Sequence, residues 1–140
     1  MSNCVTDAKW ELTKERRRIL LVDDDPDNNR IFTIALRDNG FAVDAFEDPQ
    51  LALSAFKPTY YDLVILDITM PGMYGDELYR KLRKIDDKFK VCFITASEPD
   101  QYKTRFSPTS SDSIYFMRKP IRIDQLVKKV NEIIEVDRQE

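Results

Sequence analysis

The chain contains no histidine, only two cysteines, three glycines and one tryptophan among its 140 residues. Without histidine there is no imidazole acid–base catalysis, no His–Cys zinc site and no phosphohistidine carrier role. Of the cysteines, Cys92 lies in the apolar run Val91-Cys92-Phe93-Ile94, and Cys4 stands near the start of the chain. A bridge between them is not expected, and Cys92 reads as a small buried apolar residue. No apolar stretch approaches the roughly 20 residues that cross a bilayer, so no membrane contact is expected. Met1-Ser2-Asn3-Cys4 lacks an apolar leader region, which makes the cytoplasm the expected location. The net charge of -3 and pI near 5.1 give no electrostatic basis for direct nucleic-acid binding.

What is present fits one globular domain, with 42% hydrophobic and 34% charged residues. Residues 1–17 read as a mobile or loosely docked tail, 18–137 as the folded domain and 138–140 as its end. Trp10 and Leu12 give the tail at most a short amphipathic turn, and Arg16-Arg17-Arg18 reads as a solvated run. Short apolar runs predict strands at 18–23, 41–46, 62–67, 90–95 and 113–118. Helical periodicity predicts helices near 26–39, 49–57, 74–86, 98–106 and 122–137. Asp25-Pro26 and Asp48-Pro49 each pair an N-cap with proline at the first helical position. Leu78, Leu82 and Ile85 mark one apolar helix face, and Leu126, Val130, Ile133 and Ile134 mark another. The runs 19–22, 63–66 and 91–94 are almost wholly apolar, as in a parallel sheet covered on both faces. The expected fold is α/β, a doubly wound five-stranded parallel sheet of flavodoxin type with a short or irregular fourth helix.

In such sheets the site lies beyond the carboxyl ends of the strands, near the switch in strand order. Asp23, Asp24, Asp67, Thr95 and Lys119 all fall at predicted strand ends. Clustered carboxylates repel one another unless a cation neutralises them, and an all-oxygen set suits a hard ion. Mg²⁺, with Mn²⁺ as a substitute, is the expected cofactor. Asp24 and Asp67 are expected as direct ligands, Asp23 through water, with the backbone carbonyl of Thr69 completing the set. The Thr95 hydroxyl and the Lys119 ammonium would bind phosphoryl oxygens. With charge drawn off the transferring group, Asp67 becomes a competent nucleophile and an acyl phosphate its product.

The segments Ile19-Leu-Leu-Val-Asp-Asp-Asp-Pro-Asp27, Asp62-Leu-Val-Ile-Leu-Asp-Ile-Thr-Met-Pro-Gly-Met-Tyr-Gly75, Ile94-Thr-Ala-Ser97 and Phe116-Met-Arg-Lys-Pro120 resemble the receiver domain of two-component response regulators, of the single-domain, chemotaxis-regulator-like kind. The key residues follow at intervals of 43 from Asp24 to Asp67, 28 on to Thr95 and 24 on to Lys119. The resemblance spans about residues 18–137. It implies Mg-dependent transfer of a phosphoryl group from a sensor histidine kinase or phosphotransfer protein to Asp67. By position, Thr95 would be the switch hydroxyl, Ala96 and Lys119 phosphate contacts, and Phe116 the aromatic rotamer switch. The Lys119–Pro120 bond is expected to be cis. Phosphorylation would bias a two-state surface and so control an unknown downstream protein, as a monomer or as a phosphorylation-dependent dimer.

Several residues depart from the family pattern. Tyr74 stands where relatives usually carry Asp. Residues 98–113, with Pro108 amid serines and threonines, replace the usual helix and Gly-Ala turn, so a short helix and a longer loop are expected. Thr69 and Ser97 occupy positions that tune hydrolytic access to the phosphate. The chain ends about 20 residues after Lys119, from which a stand-alone switch is expected rather than an enzyme. Two alternatives are a pseudo-receiver acting as a constitutive interaction module and a haloacid-dehalogenase-type phosphohydrolase. The latter would carry a second Asp at position 69.

Overall fold

The computed structural model describes residues 17–96 and 114–138, with side chains up to Glu135. The predicted helix at 98–106, the 98–113 loop, Ser97 and the tail residues 1–16 lie outside that range.

Five parallel strands, β1 (Arg18–Val22), β2 (Ala42–Phe46), β3 (Leu63–Asp67), β4 (Lys90–Thr95) and β5 (Ile114–Arg118), form one sheet in the order β2-β1-β3-β4-β5. The described helices are α1 (Pro26–Asp38), α2 (Pro49–Ala55), α3 (Gly75–Ile85) and α4 (Ile123–Arg138). Alternate residues of β1 divide between two cores, as both-face burial requires. Leu20 and Val22 pack with Ala52 and Phe56 near α2 and with Leu78, Tyr79 and Leu82 of α3. Ile19 and Leu21 pack with Phe32 and Leu36 of α1 and with Leu126, Val130, Ile133 and Ile134 of α4.

The helix starts follow local chemistry. Asp25 accepts a hydrogen bond from the Asp27 amide at 3.0 Å and caps α1, and Asp48 accepts from Gln50 at 2.9 Å and caps α2. Each such cap contributes about 1 kcal/mol. Both helices carry proline at their first positions. One predicted face needs correction. Ile85 is 45% exposed, whereas Tyr79 is buried. Ile85 is the last helical residue, and the buried apolar residue following α3 is Phe89, packed edge-on to Tyr79 and beneath Arg83.

Strand order reverses between β1 and β3. β1 is followed by β2 on one side and β3 lies on the other, so a crevice opens at their carboxyl ends. Val22 pairs with Leu66, so the next residues, Asp23 and Asp67, emerge side by side.

Candidate functional site

Three carboxylates and one ammonium meet at that crevice. Oxygens of Asp23, Asp24 and Asp67 all lie within 4.8 Å of one another. Asp23 is fully buried, Asp67 is buried and Asp24 is exposed. Lys119, just past the end of β5, places Nζ 3.1 Å from Asp67 Oδ2 and 3.8 Å from Asp23 Oδ2. One of the Asp23 oxygens also accepts from the Asp25 amide at 3.0 Å, and the other from Asn28 Nδ2 at 3.5 Å. The Thr69 amide donates to Asp67 Oδ1 at 3.3 Å.

Among the described residues one ammonium stands against three carboxylates, which leaves the cluster short of positive charge. The Asp67 carboxyl is raised to about 6, chiefly by its dry surroundings and then by the neighbouring charge of Asp23. Lys119, through its charge and hydrogen bond, pulls the other way, as does the Thr69 amide. Burial alone would lower the Lys119 ammonium, but Asp23, Asp67 and Asp24 together raise it. Such an oxygen-only, net-negative and partly dry donor set fits a hard divalent cation.

The other predicted residues surround this centre. Thr95 is buried at the end of β4, and its carbonyl accepts the Lys119 amide at 2.8 Å, which ties the ends of β4 and β5 together. Ala96 follows it and is exposed. The Lys119–Pro120 peptide is cis. Phe116 is half-buried and stacks on Phe93, with ring centroids 5.7 Å apart, in the core between the sheet and α3. Thr69 and Tyr74 are exposed, and Tyr74 occupies the N-cap of α3 without a side-chain cap bond.

Two residues that sequence reasoning missed shape the site. Gly75 lets α3 approach the end of β3 closely. A Cβ there would lie 2.4 Å from the Asp67 carbonyl oxygen, and the Gly75 amide donates to the Ile68 carbonyl at 2.8 Å. Asn29, buried in α1, donates from Nδ2 to the Asp23 carbonyl at 2.7 Å and to the Phe46 carbonyl at 3.1 Å. Gly75, one of only three glycines and standing at the first position of a helix, carried a readable signal. Asn29 in a polar first turn carried none.

Residues 19–131 match the family described as the response regulator receiver domain. The transcriptional regulatory protein TrcR of Mycobacterium tuberculosis is 31% identical over 117 residues, covering 84% of this chain and 45% of that protein. The DNA-binding response regulator MtrA of Mycolicibacterium smegmatis is 37% identical over 115 residues, covering 82% of this chain and 49% of that protein. The chain therefore spans about half the length of these curated relatives. The response regulator TrrA from Thermotoga maritima, solved in complex with Mg²⁺–BeF, aligns with a TM-score of 0.67 and 32% identity, covering 84% of this chain and 98% of that one. A CheY-like receiver domain from Methanospirillum hungatei shares the fold, with a TM-score of 0.78 and 24% identity, covering 89% and 98%. None of the described helices is long and apolar enough to cross a membrane.

Proposed function

The chain belongs to the response regulator receiver domain family, and from that premise we propose that it is a phosphorylation switch with Asp67 as its acceptor. The observation that carries this is Lys119 Nζ at 3.1 Å from Asp67 Oδ2, beside two further carboxylates at the reversal of strand order.

In this reading the donor is a phosphohistidine on a sensor histidine kinase or phosphotransfer protein. An Asp67 carboxylate oxygen attacks phosphorus in line. The P–O bond forms as the P–N bond breaks, and the imidazole leaves with the electron pair and takes up a proton. Lys119 neutralises one phosphoryl oxygen, and the Thr95 hydroxyl and the Ala96 amide bind others. Asp23, Asp24, Asp67 and the Thr69 carbonyl would hold Mg²⁺, which supplies charge neutralisation to the transferring group. The Mg²⁺–BeF complex of TrrA supports that assignment by likeness. Movement of Thr95 toward the phosphoryl group would leave space for Phe116, altering the surface of the last β-α units that a partner reads. The unit responsible is residues 18–137, acting in the cytoplasm as a switch rather than a turnover enzyme.

The test is incubation with Mg²⁺ and acetyl phosphate or phosphoramidate, followed by intact mass. A single phosphoryl adduct that is absent in Asp67→Asn is expected. No adduct on the wild type, or one that persists in Asp67→Asn, would overturn the proposal.

A further inference from the structure

The most constrained residue of the acidic cluster is Asp23, and its constraint comes from outside the cluster. Its amide donates to the Phe46 carbonyl at 3.1 Å, and its own carbonyl accepts from Asn29 Nδ2 at 2.7 Å. The same Nδ2 reaches the Phe46 carbonyl at 3.1 Å. Asn29 thus closes a three-way tie between the turn after β1, the first turns of α1 and the last residue of β2. The orientation of its amide is fixed by chemistry, because two carbonyl oxygens can be met only by the NH₂ end. Its Oδ1 is buried without a hydrogen-bond partner, so the side chain is held by its donors alone.

Polar side chains in helix interiors ordinarily point to solvent or bond within their own helix. Asn29 does neither, and is 6% exposed. We infer that Asn29 is the positioning residue of the cation site: by fixing the backbone of Asp23, it holds the Asp23 and Asp24 carboxylates against Asp67. This rests on reading the acidic cluster as a site for a divalent cation. A charged cluster that repels itself would otherwise relax by swinging the turn after β1 away from β3. The tie to Phe46 opposes that movement from the far side of β1. Residues behind metal ligands commonly change metal affinity without touching the ion.

The experiment is calorimetric titration of Mg²⁺ into the full chain, comparing wild type, Asn29→Leu, Asn29→Ala and Thr33→Val. Thr33 lies one turn further along α1 and also carries a buried, unpartnered oxygen, so it controls for general softening of the helix. Loss of the Asn29 donors is expected to weaken Mg²⁺ binding about tenfold, with Thr33→Val at the wild-type value. In phosphoramidate labelling, the half-saturating Mg²⁺ should rise while the rate at saturating Mg²⁺ holds. Native affinity in either folded Asn29 variant, or equal weakening in Thr33→Val, overturns the inference and leaves the phosphorylation reading standing. A wild type that binds no Mg²⁺ overturns both. A measurement on the wild type covers variants that fail to fold. The side-chain NH₂ resonances of Asn29 should move during Mg²⁺ titration, whereas those of Asn39, bonded to the Ala35 carbonyl at 2.8 Å, stay in place. An immobile Asn29 signal overturns the inference as well.

Discussion

The two ends of the sheet use the same residue type for opposite purposes. At the amino end, Asp62 accepts the Arg18 amide at 2.9 Å and Arg17 at 3.5 Å. Asp86, buried before β4, accepts the amides of Thr59 at 2.8 Å and Lys88 at 2.9 Å. Each of these carboxylates has its donors, and they staple loops together. At the carboxyl end, Asp23, Asp24 and Asp67 have one lysine between them among the described residues. Carboxylates matched by donors do structural work, whereas carboxylates gathered in excess of their cations mark where a missing charge belongs.

That contrast yields opposite signs for mutation. Asp86→Ala is expected to destabilise by about 3 kcal/mol, since two amides lose a charged acceptor. One of those amides belongs to Thr59, whose φ of 58° is unusual for a β-branched residue. Urea denaturation would measure it, and a loss below the error of the fit would show that the amino-end carboxylates are not staples. Gly75→Ala, at the other end, should cost about 2 kcal/mol by overpacking against the Asp67 carbonyl. Asp67→Asn should instead stabilise the metal-free protein, by about 1 kcal/mol, because it removes a like charge that Asp23 repels while Lys119 keeps Asp23 as its partner. A lower Tm in that variant would break the comparison.

A smaller effect follows from titration. The Asp67 carboxyl rises to about 6 in the folded state from an ordinary 3.8. Between those values the folded chain binds more protons than the unfolded one, so its stability falls as pH rises through that window. The difference in Tm between wild type and Asp67→Asn should therefore grow from about pH 4 to about pH 6 and then level off. A flat difference would count against the desolvation and the Asp23 repulsion. The smallest expected effect is at Cys92, which is buried and whose thiol burial raises to about 12. In a Cys4→Ser background, a thiol reagent should label the native protein no faster than it unfolds.

Much of this was legible in the chain because it rests on local patterns. The all-apolar runs at 19–22, 63–66 and 91–94 give buried parallel strands, and the aspartates before Pro26 and Pro49 give helix starts. Since Asp25 already caps α1, Asp23 and Asp24 were free for another purpose. What local pattern could not supply is distance between separate elements. Ile85 repeated the helical period yet lies exposed at the last position of α3, and Phe89, four residues on, is the one buried against Tyr79. Asn29 looked like one polar residue among several in a helix start, and only the position of the Phe46 carbonyl makes it a tie. The departure at 98–113 lies outside the described residues.

Gly75 also has a mechanical consequence. Where α3 meets β3 no side chain cushions the contact, and the helix backbone rests on the carbonyl of Asp67 with the Gly75 amide bonded to the Ile68 carbonyl. Gly75 has no rotamer to turn, and the side-chain packing of α3 against the sheet lies further along, at Leu78, Tyr79 and Leu82. A displacement of the Asp67 backbone would therefore meet the backbone of α3 directly, at the first residue of the helix.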